Sequence, residues 1–146
     1  MAYDYGGYER QKGDINYKYT QDSANNAYGR FISQQRGQRN LGDKERSFKR
    51  NWAPYKAEFN QRGLQGAGIS SGVAQKSMQN YMGDYGRDYM RTQQDLTQNL
   101  QQYDQNQSNL DAWRSNALVD LESDKSNQIA MAAQNLEALR ALFGGL

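Results

Sequence analysis

Residues 82–117 read MGDYGRDYMRTQQDLTQNLQQYDQNQSNLDAWRSNA, and this stretch decides the fold. Steps of seven from Met82 reach Tyr89, Leu96, Tyr103, Leu110 and Ala117, all apolar or aromatic. The companion positions three further on are Tyr85, Thr92, Asn99, Asn106, Trp113 and Asp120, of which only the two aromatics are core-like. One seam is strong and the other is half polar. Asn in such a seam costs stability and fixes register. Leu100 lies beside the polar positions and can share their load. From Ser70 to Phe143 there is no Pro, and after Gly86 no Gly until Gly144. The pattern predicts one very long helix, with a break allowed near Gly83 to Gly86. At 1.5 Å per residue it would run on the order of 110 Å. Such a helix either projects as a rod or folds back on itself. The turns available for folding back, residues 104–109 and 123–127, contain neither Gly nor Pro.

Past Ala117 the frame slips. Ile129, Leu136 and Phe143 repeat by seven, with Ala132 and Leu139 as companions. The step from Leu118 to Ile129 is eleven residues, which locally unwinds a coiled coil. Residues 129–143, IAMAAQNLEALRALF, are the most apolar stretch and the best helix formers in the chain. Contacts with other helices or other copies are expected at Met82, Tyr89, Leu96, Tyr103, Leu110, Ile129, Leu136, Leu139 and Phe143.

The N-terminal half reads differently. Tyr3, Tyr5, Tyr8, Tyr17 and Tyr19 alternate with Gly6, Gly7 and Gly13, without helical or strand periodicity. Gly weakens both structures, and Tyr offers contact area with a polar tip. Residues 1–22 therefore read as an extended arm that docks on a partner, or as a disordered terminus. Residues 23–36 suit a short helix capped by Ser23, with Tyr28, Phe31 and Ile32 on one face and Gly37 as its stop. A second helix over 43–62 starts at Asp43 and carries the stripe Phe48, Trp52, Tyr55 and Phe59. Pro54 kinks it or marks a restart at Asn51. The resulting division is 1–42, 43–62, a Gly-rich turn at 63–72 and a long helix over 73–146. The predicted class is all-α: an arm, a short kinked helix, and a long helix that completes a coiled coil or bundle with other subunits.

Composition narrows the function. The 146 residues include 18 Gln and 13 Asn, hydrophobic residues reach only 36%, and Tyr outnumbers Phe by 11 to 4. Such a chain buries little apolar area alone and finishes its core against copies or partners. There is no Cys and no His. This excludes disulfides, Cys-bound metals, thiol nucleophiles, Ser-His-Asp triads and HExxH zinc sites. No apolar run approaches the roughly 18 residues of a membrane span, and the first residues do not form a signal peptide. The expectation is a protein made in the cytoplasm, with no cofactor and no membrane span.

Two motifs invite chemistry. Gly66, Gly68 and Gly72 resemble a phosphate loop, but a helix precedes them, the spacing misses GxGxxG, and no Lys follows. A turn that lets two helices reverse direction is the better reading. Arg30, Arg36, Arg39, Lys44, Arg46, Lys49 and Arg50 form a basic stretch interleaved with Phe31, Phe48 and Trp52. The net charge is +5 over residues 1–62 and −3 over 63–146. Arg30, Arg36, Arg39, Arg46, Lys49 and Arg50 are thus candidate phosphate contacts for a nucleic acid. An acidic protein surface, including the second half of a neighbouring copy, suits them equally. Asp84, Asp88, Asp95 and Asp104 read as a solvated helix face, and no enzyme site emerges.

The segment from Arg62-Gly63-Leu64 through Ser70-Ser71-Gly72 runs into a helix of spaced Tyr, Arg, Asp and Gln, from Gln75 to Leu100. Over roughly residues 55–110 it resembles small virion structural proteins of tailed bacteriophages. That resemblance implies a non-catalytic particle component at the portal, neck, tail or head interior. It would contact copies of itself and other virion proteins, bridging or anchoring them through the long helix and the arm. The alternative function is a nucleic-acid-associated protein that touches packaged DNA through residues 30–50.

Overall fold

The computed structural model describes residues 4–61 and 72–143, without the side chains of 59–61, 73 and 74. Among the described residues all but Asp4 are helical, and there is no strand. Helix α1 spans Tyr5–Gln61 (57 residues) and helix α2 spans Gly72–Phe143 (72 residues). The all-α class stands. Tyr3, the side chain of Phe59 and the turn residues 63–71 lie outside the described residues.

Helix α2 is continuous. Gly83, Gly86, residues 104–109 and residues 123–127 all lie within it. The polar residues that suggested turns bond locally instead. Ser108 Oγ donates to the carbonyl of Asp104 at 3.2 Å, and Ser126 Oγ to that of Glu122 at 3.0 Å. These bonds to a carbonyl four residues back satisfy the side chain without ending the helix.

Helix α1 departs from expectation in three places. Residues 5–22 are helical, not an extended arm. The helix starts at Asp4, whose Oδ1 accepts from the backbone N–H of Gly7 at 3.0 Å, an N-cap that sequence reading missed. Ser23 and Asp43 lie inside the helix rather than capping it, and Gly37 does not stop it. Pro54 also lies inside, and the helix runs on to Gln61. A mid-helix Gly costs about 1 kcal/mol relative to Ala. Contacts along α2 exceed that local preference.

The chain forms two compact units: Met1–Tyr28 with Asp104–Leu146, and Gly29–Tyr103. Within each, a stretch of α1 lies antiparallel to a stretch of α2. In the first, Tyr8 meets Glu122, Tyr19 meets Asp111 and Asn26 meets Gln107. In the second, Gly29 meets Tyr103, Gly37 meets Leu96, Lys44 meets Asp88 and Tyr55 meets Ser77. No described side chain is fully buried.

Candidate interaction surfaces

The unit Gly29–Tyr103 is held by rings. Phe48, Trp52 and Tyr55 sit at steps of four and three on α1, as their stripe predicts. Phe48 stacks on Tyr85 with centroids 4.1 Å apart, and Tyr55 stacks on Tyr81 at 4.6 Å. Trp52 lies 5.9 Å from Tyr81 and 5.6 Å from Phe48. Removal from water pushes the Tyr85 phenol above its ordinary pKa, with the Glu45 carboxylate adding to the effect. Further along, α1 presents glycine. A Cβ at Gly29 would stand 2.8 Å from Tyr103 Cε1, and one at Gly37 would stand 2.9 Å from Leu96 Cγ. Gly37, expected as a helix stop, is thus a notch for a leucine. Its missing side chain is a packing feature, not a break.

The unit Met1–Tyr28 with Asp104–Leu146 is held by polar groups. Gln107 is the hub. Its Nε2 lies 3.0 Å from Asp111 Oδ1, 3.1 Å from Ser23 Oγ and 3.4 Å from Tyr19 Oη, while its Oε1 accepts from Asn26 Nδ2. Tyr19 Oη donates to Asp111 Oδ1 at 2.7 Å, and Arg114 Nε donates to Asn16 Oδ1 at 3.0 Å. Cations lie over ring faces: Arg114 is 4.7 Å from the Tyr19 centroid, and Lys18 is 5.0 Å from that of Trp113. Near the start of α1, Tyr8 Oη donates to Glu122, and Lys125 reaches both Glu122 and the Tyr8 ring. The Tyr8 bond holds the Glu122 carboxyl below its ordinary range and raises the Tyr8 phenol.

The residues of the expected α2 seam divide by exposure. Tyr89, Leu96, Tyr103 and Leu110 are half-buried, each within its own unit. Met82 is exposed, and Tyr81 turns inward in its place. Among the companions, Asn99, Asn106 and Asp120 are exposed, while Leu100, Gln107 and Leu121 are half-buried. A helix with 3.6 residues per turn drifts from a strict seven-residue frame, so the inward position moves on by one. Among them, Tyr81, Leu96, Tyr103 and Gln107 meet α1 of the same chain.

The tyrosines expected in a docking arm divide. Tyr8 and Tyr19 are engaged with α2, as above. Tyr5 and Tyr17 are exposed, and Tyr17 Oη accepts from Gln21 on its own helix. On the expected face of residues 23–36, Tyr28 and Phe31 are exposed and only Ile32 is half-buried. At least three of the seven cations in the basic stretch pair with carboxylates. Lys44 pairs with Asp88, Arg46 with Asp43 at 2.5 Å, and Lys49 with Glu45 at 2.6 Å. Lys49 lowers the Glu45 carboxyl, and Glu45 raises the Lys49 ammonium. Arg36, Arg39 and Arg50 are exposed, and Arg30 is half-buried.

The last stretch of α2 behaves unlike the rest. Near the start of α1, Tyr5 and Tyr8 lie against Lys125 of α2. Beyond Lys125, through Phe143, only Ala132 is half-buried. Ile129, Leu136 and Leu139 are about half exposed, and Phe143 is 71% exposed. Among the described residues no group of His, Cys, Asp or Glu could hold a metal ion, and no helix is long and apolar enough to cross a membrane. No family model, curated protein or solved structure matches the chain.

Proposed function

We propose that the chain is a non-catalytic structural subunit of a larger assembly. Following the resemblance of residues 55–110, we place that assembly in a tailed-phage virion, at the portal, neck, tail or head interior. The observation that carries this reading is the lack of any fully buried side chain among the described residues of two long helices. A stable domain packs layers around an enclosed core. Two paired helices enclose none, and further layers must come from elsewhere. Tyr17, Tyr28 and Phe31 are large exposed side chains on α1 that suit contact with a bridged neighbour. The carboxylate partners of Lys44, Arg46 and Lys49 weigh against a mainly electrostatic grip on DNA.

The test is analysis of particles purified from the source after nuclease treatment. The chain should be present at a fixed ratio to the portal protein. Complete, infectious particles that lack it overturn the reading. Loss of the chain on nuclease treatment or at high salt points to DNA association instead.

A further inference from the structure

We infer that residues 126–143 of α2 form a two-fold, antiparallel contact with the same segment of a second copy. The inference rests on the assembly reading above and names its first partner. It starts from a seam that outlasts its cover. In the first unit the half-buried positions of α2 run through Gln107, Leu110, Arg114, Leu118, Leu121 and Lys125, and Gln107, Arg114 and Lys125 of these contact α1. The same helical spacing continues as Ile129, Ala132, Leu136, Leu139 and Phe143. Helix α1 begins at Tyr5, whose ring lies against Lys125, and of these five only Ala132 is half-buried while the other four are exposed.

The chemistry of the segment selects its occupant. Between Ser126 and Phe143 the only charged residues are Glu137 and Arg140. A strongly acidic or basic partner would find nothing to complement. A membrane surface is a poor match as well, because interfacial helices carry Lys and Arg along the polar face, and here that face is mainly Gln, Asn and Ala. The segment is complementary to itself. An antiparallel pairing that seats Phe143 against Ala132 of the second copy also seats Leu136 against Leu139. The largest side chain of the stripe then meets the smallest, and the two leucines flank the axis. The second copy's helix takes the direction that α1 has along α2, so the covered seam continues. Large side chains left half exposed, each contributing on the order of 100 Å², bring the contact to several hundred Å² per copy. That is about half of the roughly 800 Å² per partner of a standard interface, which suits a weak, concentration-dependent dimer.

Sedimentation equilibrium on the full chain should give twice the monomer mass of 16.7 kDa. The double variant Leu136→Asp/Leu139→Asp should sediment as a monomer with unchanged helicity by circular dichroism. The natural chain lacks cysteine, so orientation can be read by cross-linking. A mixture of Ala132→Cys and Phe143→Cys chains should give mixed disulfide dimers, with little product from Ala132→Cys alone. A monomeric wild type, a mass of three or more copies, or a dimer that survives both Asp substitutions overturns the inference. Efficient disulfide from Ala132→Cys alone overturns the antiparallel arrangement. Particle analysis separates the two failures. A monomer still built into particles sinks only the pairing, and a dimer absent from particles sinks only the assembly reading.

Discussion

The two units solve one problem, joining a stretch of α1 to a stretch of α2, with different chemistry. Gly29–Tyr103 uses stacked rings and glycine notches, which gain from area and close approach. Met1–Tyr28 with Asp104–Leu146 uses amides, carboxylates and cations over rings, which gain from geometry. Area tolerates a shift of a few tenths of an ångström, whereas a hydrogen-bonded hub does not. The ring-built unit should therefore be the stabler one, and the polar unit the more exacting about register.

The largest expected effect lies in the ring cluster. Phe48→Ala removes the ring that stacks on Trp52, Tyr81 and Tyr85. A buried Phe→Ala costs 3–5 kcal/mol, and at this half-buried site the loss should be about 2 kcal/mol. Thermal unfolding followed by circular dichroism measures it. A loss below that of a typical surface substitution would refute the ranking of the two units. Next comes a pair of glycine substitutions of opposite sign. Gly37→Ala brings a Cβ against Leu96 and should destabilise by about 1 kcal/mol despite the gain in helix propensity. Gly13→Ala meets nothing within 4 Å and should stabilise by up to about 1 kcal/mol. Equal signs in denaturant titrations would show that the notch is not real.

In the polar unit, Gln107→Ala should cost about 1 kcal/mol, because Asn26, Ser23 and Tyr19 lose a common partner to water. Hydrogen exchange should report the loss at residues 16–26 and leave Gly29–Tyr103 protected. The smallest effect is that of pH. The Glu122 carboxyl is held below its ordinary range by Tyr8 and Lys125, so the folded state binds its proton more weakly than the unfolded chain. Its contribution is present above the ordinary carboxylate pKa and fades as pH falls through the lowered value. Tyr8→Phe should reduce that acid dependence.

Much of the ring-built unit was legible beforehand. Phe48, Trp52 and Tyr55 fall at helical steps, and strong apolar periodicity survives single-sequence reading. The start of α1 was not legible, because Tyr8, Ile15 and Tyr19 share a face with Ser23 and Asn26, whose inward role depends on partners on α2. Polar residues carry no sign of burial until the group that satisfies them is known. Gly37 shows the same limit. Alone it signals an end, and opposite Leu96 it becomes a place for a side chain.

Sequence alone determined that this protein is helical and that it lacks the side chains of thiol, imidazole and disulfide chemistry, whereas the unbroken run of α2 was settled only by the structure. These properties follow from composition and from periodicity within one segment. The tertiary structure decided which faces are used up. It gives Leu96 and Tyr103 a partner in α1 and leaves Leu136 and Leu139 half exposed. That outcome depends on where two helices begin and end relative to each other, and no local pattern encodes it.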